Sequence, residues 1–453
     1  MASRNETTNP PSAKGPNVGL LVAVAAGVLT SVFWLLSWQL AFLLTSVVVI
    51  SIVIWQACDP FAESAQWIGT RFHLPGSVRG ATLDAIASSM PELFSGIFFV
   101  VVAISAAQSD TAVTLEEAGA EGYGSTIATC AGSAIYNMIL IPAVVALVIA
   151  AYRKERPTVD VEVEVLARDG VWFLVCEFAL LLFLFQNEMH WWMAIVFIAM
   201  YAIYIGQLCR DAKLYRRRLH AVRLVFDKNG VDTPLEDVIG QLDVRGITAA
   251  LVEKVRQGLR AGDDVENEDD EETPEAADAV FGFVEIPMNM VTCWLTISVS
   301  TLVAAGACYF LVEVTRSTAA VLHVPTFFIA VILAAAASSV PDTFLSIGAA
   351  MRGDDSGAVS NAFGSNIFDI CICLSIPLLV NSFLVGWGPV NLTQDGEPIA
   401  GLVGLRILLF VLTGLTLAIM WHNRQLTYRK AIVLCALYSA FIAYAVLGSL
   451  GIL

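Results

Sequence analysis

Charge is what this 453-residue chain has least of: Asp, Glu, Lys and Arg make up 15% of it, against 57% hydrophobic residues. A water-soluble domain of that length carries far more charge, so the solvent for most of this chain is lipid. The nine cysteines form no Cys-x-x-Cys pair. That excludes a zinc framework, and the scattered thiols read as packing. Basic residues are scarcer than acidic ones, 25 against 41, and the formal charge is −16. Much of the excess sits in "GDDVENEDDEE", residues 262–272. This run reads as disordered and solvated, and it lacks the fixed ligand spacing of an EF-hand.

Long apolar runs are abundant. One crossing of roughly 30 Å of hydrocarbon takes about 20 apolar residues. Such stretches lie near 39–57, 78–106, 125–151, 170–186, 190–208, 287–312, 325–350, 361–384, 402–421 and 431–449, which makes ten spans. Residues 18–57 form an apolar run twice that length behind a polar tail, 1–17. Residues 18–38 are therefore an extra N-terminal helix or a signal-like segment; no small-x-small cleavage site follows, which favours the helix.

Lys and Arg in the connections set the orientation. One set of loops holds Arg71, Arg79, Arg153, Lys154, Arg156, Arg168, Arg210, Lys213, Arg216, Arg217, Arg218, Arg223, Arg352, Arg424, Arg429 and Lys430; the other holds Arg316. The basic side is expected to be cytosolic. Asn391, in the acceptor "VNLT", then faces the outer or lumenal side, where it can be glycosylated. The expected architecture is an all-α, multi-pass integral membrane protein. A five-helix half over 39–209 is joined by a cytosolic segment, 210–286, to a second five-helix half, 287–453. Five is odd, so the second half inserts upside down, and inverted repeats meeting at the membrane midplane are a hallmark of secondary transporters.

The halves share motifs. "AIASSMPELFSG", residues 85–96, aligns without gaps with "AAASSVPDTFLSI", residues 335–347: Ser88 with Ser338, Ser89 with Ser339, Pro91 with Pro341, Glu92 with Asp342, Phe94 with Phe344. Downstream, "GSAIYN", 132–137, matches "GSNIFD", 364–369. Glu92 to Gly132 is 40 residues and Asp342 to Gly364 is 22, and "AQSDTAVTLEEAGAEGYG" accounts for the difference as a polar outer loop. An ionisable residue at mid-membrane costs several kcal/mol unless paired or wetted, so it marks a functional site by default. Proline lacks an N–H and clashes with the carbonyl four residues back, so Pro91 and Pro341 should free carbonyls near Ala87 and Ala337. Carbonyls, serine hydroxyls and carboxylates are hard oxygen donors, and Ca²⁺ takes about six to eight of them. A lone Pro-Glu in an apolar segment is more often a kink, and a lone Gly-Ser a close-packing contact. Both motifs, twice, in corresponding places of inverted halves, point to a cation site.

"CDPF…GATLDAIASSMPELFSG…GSAIYNMI" and "AASSVPDTFLSIGAAMRGDDSGAVSNAFGSNIFDI" resemble the two alpha repeats of the cation/calcium exchanger superfamily. Within it they are similar to the sodium/calcium exchangers, nearest the potassium-dependent branch. The resemblance covers the membrane portion and not the acidic run. It implies the ten-helix exchanger fold of two inverted five-helix repeats. It also implies a secondary antiporter exporting Ca²⁺ for Na⁺, with K⁺ carried alongside Ca²⁺, and it implies neither enzyme nor bound cofactor. Carried over by position, Glu92 and Asp342 are the main calcium ligands. Ser88, Ser89, Ser338 and Ser339 are hydroxyl or backbone ligands, Ala85 and Ala335 give carbonyls, and Ser133, Asn137, Ser365 and Asp369 complete the sodium and calcium positions. Asp369 is the acid of the potassium-dependent branch: its partner Asn137 is neutral, and a third negative charge suits a monovalent ion beside Ca²⁺. The chain departs from the family in two places. Ala-Ser-Ser stands in both repeats where Gly-Thr-Ser or Gly-Gly-Ser is usual, which stiffens the chain beside the site. Asp84 stands where the family has an apolar residue, either as a pathway acid or as a solvated one.

"CRDAKLYRRRLHAVRLVF" alternates basic and apolar residues. Residues 210–228 suit an amphipathic helix on an anionic lipid leaflet, a calmodulin-like contact, or a positive-inside anchor. The expected partners are thus Ca²⁺, Na⁺, K⁺ and the bilayer, with no nucleic acid, in the plasma membrane or an intracellular calcium-store membrane. Rival readings lack their residues. A Ca²⁺/H⁺ antiporter of the same superfamily would carry Gly-Asn-x-x-Glu-type repeats. An intramembrane aspartyl protease needs Gly-x-Gly-Asp in a span, and "RGDD", 352–355, is in a loop. A channel would show a pore-filter loop in a single span.

Overall fold

The computed structural model describes residues 18–72, 82–83, 85–109, 113–154, 156–161, 163–241, 247, 249–261, 276–353, 355–394, 397–399 and 401–450. Asp84, Arg79 and the acidic run 262–272 lie outside the described residues. The first half comprises α2 (Gln39–Arg71), α3 (Ala85–Ser109), α4 (Leu115–Tyr152), α5 (Val163–Leu184) and α6 (Trp191–Asn229). Ahead of it, α1 (Val18–Leu35) packs along α2. Between the halves lie α7 (Leu235–Gln241), α8 (Ala249–Ala261) and a hairpin of β1 (Ala276–Ala279) and β2 (Val284–Pro287). The second half comprises α9 (Met290–Leu322), α10, which runs from Thr326 to Ser338, and α11 (Val340–Arg352). Then come α12, which runs from Asp355 to Leu384, α13 (Leu402–Trp421) and α14 (Tyr428–Ser449). With α10 and α11 making one crossing, ten crossings result.

Nine of these are long and apolar enough to cross by composition alone. The tenth, α5, carries two buried acids, of which Asp169 is well satisfied inside the protein while Glu177 keeps its Oε2 without a partner. Asp169 accepts from Arg168 Nε at 2.7 Å, Tyr204 Oη at 3.2 Å and Ser360 Oγ at 3.3 Å, and Glu177 accepts from Thr413 Oγ1 at 2.7 Å. Buried acids are tolerated in lipid when donors meet them this way.

Basic connections gather at one end. Val159–Asp160 pairs antiparallel with Gln425–Leu426, and Arg153 forms a 2.7 Å ion pair with Asp355, tying the two halves together there. The opposite end is closed by Glu188–Met189 against Val390–Asn391, with Asn391 exposed.

The proline-bearing segments differ between halves. In the first, Pro91 lies inside the continuous helix α3. In the second, the chain breaks at Ser339 (φ −87°, ψ 3°), with Pro341 in the first turn of α11, where its missing N–H leaves no partner wanting. Three wide π turns interrupt the helices: Tyr136–Leu140 in α4, Ala330–Ala334 in α10 and Asp369–Cys373 in α12. Residues 82–83 share that geometry. Single π turns inside α-helices frequently mark functional positions.

The presumed outer loop is largely helix. Thr114 and Glu117 form a reciprocal capping box that starts α4 ten residues before the expected span. Gly119 and Gly122 are buried there: a Cβ would come within 2.8 Å of Asn381 Oδ1 and 2.6 Å of Phe99 O respectively. The segment after residue 209 also differs from a plain loop. Helix α6 runs on to Asn229, and its Leu219, Val222 and Phe226 bury against Val238 of α7 and Leu251, Val252 and Val255 of α8. Part of the segment's apolar side is thus covered within the chain, while Leu214 and Leu224 stay exposed together with Arg210, Lys213 and Arg217.

The two motif glycines are not equivalent. A Cβ on Gly132 would sit 2.2 Å from Val331 O and 2.7 Å from Ala335 Cβ, so only glycine lets α4 touch the π turn of α10; at Gly364 nothing lies within 4 Å. Gly132→Ala is expected to lose about 1–3 kcal/mol of stability through overpacking. Gly364→Ala should be neutral or slightly stabilising. Thermal melts of the purified protein check this, and equal losses at both positions would contradict it.

Candidate functional site

The two repeats converge at the centre of the bundle. Ser88, Ser89, Glu92, Ser133, Asn137, Ser338, Ser339, Asp342, Ser365 and Asp369 are all fully buried, and Ala85 and Ala335 are 1% exposed. All twelve residues expected from the sequence therefore lie in closed parts of the interior.

Ser133 joins three of them. Its hydroxyl lies 3.0 Å from Glu92 Oε1, 2.8 Å from Ser339 Oγ and 3.2 Å from Asp369 Oδ2. A hydroxyl has one proton to give, so it can serve only one of the two carboxylates at a time. Ser339 Oγ also donates to Glu92 Oε1 at 3.3 Å. Each half thus supplies a donor to the first half's acid.

Asp342 is better satisfied. It accepts from Ser365 Oγ at 2.9 Å, Asn137 Nδ2 at 3.1 Å and Asn361 Nδ2 at 3.4 Å. Ser88 Oγ, from the other half, meets Ser365 Oγ at 3.0 Å, so hydroxyls can relay Ser88 to Ser365 to Asp342. The remaining serine, Ser338, donates to Ala335 O at 3.1 Å, and Ser88 Oγ also lies 3.4 Å from Ala85 O. These two carbonyls already accept one hydroxyl contact each and keep a second lone pair.

Within this cluster four buried oxygens have no hydrogen-bond partner, Glu92 Oε2, Asp369 Oδ1, Asn137 Oδ1 and Ser89 Oγ; outside it Glu177 Oε2 and several hydroxyls, Ser64, Ser95, Ser375, Ser382 and Thr416 among them, share that state singly. Leaving such a group unpaired costs about 1–3 kcal/mol, and more for a charge. All four belong to the motif residues, and all are hard oxygens of the type that Ca²⁺ and Na⁺ take. Among the described residues, no three His, Cys, Asp or Glu side chains form a metal-holding group. The donor set is instead carboxylates interleaved with hydroxyls and amides, which suits a cargo that must leave again better than a resident metal.

Asn366 was not expected from the sequence. Its Oδ1 accepts from Asn137 Nδ2 at 3.1 Å, and its Nδ2 donates to Ala134 O at 3.1 Å. Ala134 is its own counterpart in the first repeat, so the mismatch between "GSA" and "GSN" was the available signal. Asn361, which bonds Asp342 and Ser346 Oγ, had none.

The family model described as sodium/calcium exchanger protein matches residues 40–209 and 292–447. Sodium/potassium/calcium exchanger 5 of Homo sapiens is 24% identical over 439 residues, which is 87% of this chain and 81% of that protein. Sodium/potassium/calcium exchanger 3 of Homo sapiens is 30% identical over 149 residues, 33% of this chain and 19% of that one. Among solved structures, the crystal structure of an H⁺/Ca²⁺ exchanger superposes with a TM-score of 0.54 at 16% identity, covering 96% of this chain and 94% of its own. This last likeness is one of fold.

Asn366→Ala should free Asn137 to turn away from Asp342. Calcium affinity is expected to fall about tenfold, the equivalent of one net hydrogen bond to a charged group, with the melting temperature nearly unchanged. Equilibrium ⁴⁵Ca²⁺ binding to the detergent-purified variant checks this, and unchanged affinity would remove Asn366 from the site.

Proposed function

The chain belongs to the sodium/calcium exchanger protein family, a family of multi-pass membrane antiporters, and from that premise we propose that it exports Ca²⁺ in exchange for Na⁺, with K⁺ carried alongside Ca²⁺. The observation that carries this reading is the set of four unpartnered buried oxygens on Glu92, Asp369, Asn137 and Ser89. Glu92 and Asp342 would be the main calcium ligands. Ser88, Ser89, Ser338, Ser339, Ser133, Asn137 and Ser365 would contribute hydroxyl and amide oxygens, and Ala85 and Ala335 the carbonyls.

Charge balance supports the potassium step. Glu92, Asp342 and Asp369 together carry three negative charges when ionised, and one Ca²⁺ with one K⁺ matches them, as do sodium ions in the opposite leg. An uncompensated charge in the membrane interior is costly. The loaded forms would therefore be those that can pass between the two access states. The hydroxyls shared between halves would be remade at each passage: Ser339 serving Glu92, and Ser88 serving Asp342 through Ser365, each cross the repeat boundary.

A proton-coupled reading of the same site has one observation in its favour. Ser133 Oγ touches both Glu92 and Asp369 with one proton to share. A proton on either acid would satisfy that crowding as a cation would.

Reconstituted protein is expected to take up ⁴⁵Ca²⁺ only when Na⁺ is loaded on the opposite side; uptake driven by a pH gradient and indifferent to sodium would select the proton-coupled reading instead. Glu92→Gln and Asp342→Asn should each abolish transport in folded protein, since neutralising a strained buried acid relieves the structure while removing the ligand. Near-normal exchange in either would place the site elsewhere. Replacing K⁺ by a large organic cation should slow calcium flux, and Asp369→Asn should exchange calcium without responding to K⁺. Full-rate exchange without potassium would assign Asp369 another role.

A further inference from the structure

A cavity of about 600 Å³ lies between α1, α2, α9 and the β1–β2 hairpin, away from the cation site. Its long walls are Val49 to Pro60 of α2 and Thr292 to Val303 of α9. Each is twelve residues, so its ends lie about 16 Å apart along the helix at roughly 1.5 Å per residue. That matches one leaflet of hydrocarbon, half of a core roughly 30 Å thick. Helices α1 and α9 turn apolar side chains outward, among them Leu21, Val24, Val291 and Leu302, so the cavity sits in the belt that faces lipid.

The hairpin roofs it. Val280, Phe281 and Gly282 all have positive φ (50°, 58° and 77°), a strained turn for a β-branched residue. The strain is held by docking on α2: Phe281 N donates to Gln56 Oε1 at 2.6 Å, Asp278 N donates to Glu63 Oε2 at 3.1 Å, and the Phe281 ring packs edge-on to Trp55. Trp55 in turn stacks at 4.0 Å on Phe344, two residues beyond Asp342.

We propose that this cavity binds one acyl chain of a membrane lipid, held as a spacer between α1, α2 and α9 beneath the hairpin. The volume fits: at roughly 30 Å³ per methylene, about the share of a water, the space holds about 20 carbons, enough for one acyl chain. The stretches that adjoin α1 and β1 in sequence do not suit it, since residues 1–17 are polar and residues 262–275 largely acidic. Water does not suit it either, because an apolar void of this kind stays dry. Among the described residues, no charged side chain lines the cavity, and Glu63 and Asp278 meet beside its mouth. The lipid is therefore one with a neutral or zwitterionic headgroup. This site is independent of which cations the protein carries.

The test uses full-length protein in liposomes of phosphatidylcholine containing a trace carrying a diazirine in its acyl chain. After irradiation, peptides are mapped by mass spectrometry. Label is expected on 49–57 and 295–303, enriched at least threefold over the outward face of α14 at Ile432 and Val433. Ser300→Phe and Val303→Trp, which fill the space, should each cut the cavity label at least fivefold and leave the α14 label unchanged; that second readout separates displacement from misfolding. Equal labelling of cavity and outer face, or label that persists in both folded variants, would overturn the proposal. Acyl-labelled phosphatidylserine should label the cavity no better than phosphatidylcholine, and a severalfold preference for the serine lipid would overturn the assignment of its headgroup.

Discussion

Three carboxylates in the middle of a membrane protein, with too few donors to satisfy them, set the terms for everything around them. Among the described residues, Glu92, Asp342 and Asp369 have no cationic side chain in ion-pair contact. Asp342 is met by three donors, whereas Glu92 and Asp369 each keep one oxygen without a partner. Such burial is costly as it stands and favourable once a cation arrives. Contrast Asp169 of α5, which has an arginine, a tyrosine and a serine. That carboxylate has its needs met inside the protein; Glu92 and Asp369, where the two repeats meet, do not.

The inverted repeat supplies those donors crosswise. Ser339 of the second half serves Glu92 of the first, and Asn137 of the first serves Asp342 of the second. A movement of one half against the other therefore changes the hydrogen bonding of both acids together, which is how a site can be coupled to access without a separate gate. The repeat is not exact, and its departures are local. Ser339 breaks the second half where Pro91 leaves α3 continuous, Gly132 is sterically required where Gly364 is not, and Asp369 stands opposite Asn137. These make the two sides chemically distinct while the backbone frame stays paired.

Sequence pattern was enough for the ten crossings and for picking out twelve residues that the fold buries at its centre, because twin motifs in inverted halves narrow the choices sharply. What it could not carry was geometry without a compositional mark. π turns arise from one extra residue per turn and leave no distinct residue type, so the wide turns at Tyr136–Leu140 and Asp369–Cys373 were invisible. Asn366 was visible only as a mismatch between repeats. Helices α7 and α8 were hidden by the acidic tract beside them, although Leu251, Val252 and Val255 are spaced to meet Leu219, Val222 and Phe226. The capping box at Thr114 sat in plain view but inside a stretch whose glycines and acids read as loop, and those glycines prove to be packing contacts.

The central claim is positional: a divalent cation lies among the unpartnered oxygens of the two repeats. Crystals soaked in Sr²⁺ and measured at its absorption edge test this most directly. The account predicts one dominant anomalous peak in the bundle centre, within about 2.3–2.7 Å of carboxylate oxygens of Glu92 and Asp342. A dominant peak elsewhere, or a centre that stays empty at saturating Sr²⁺, would contradict it.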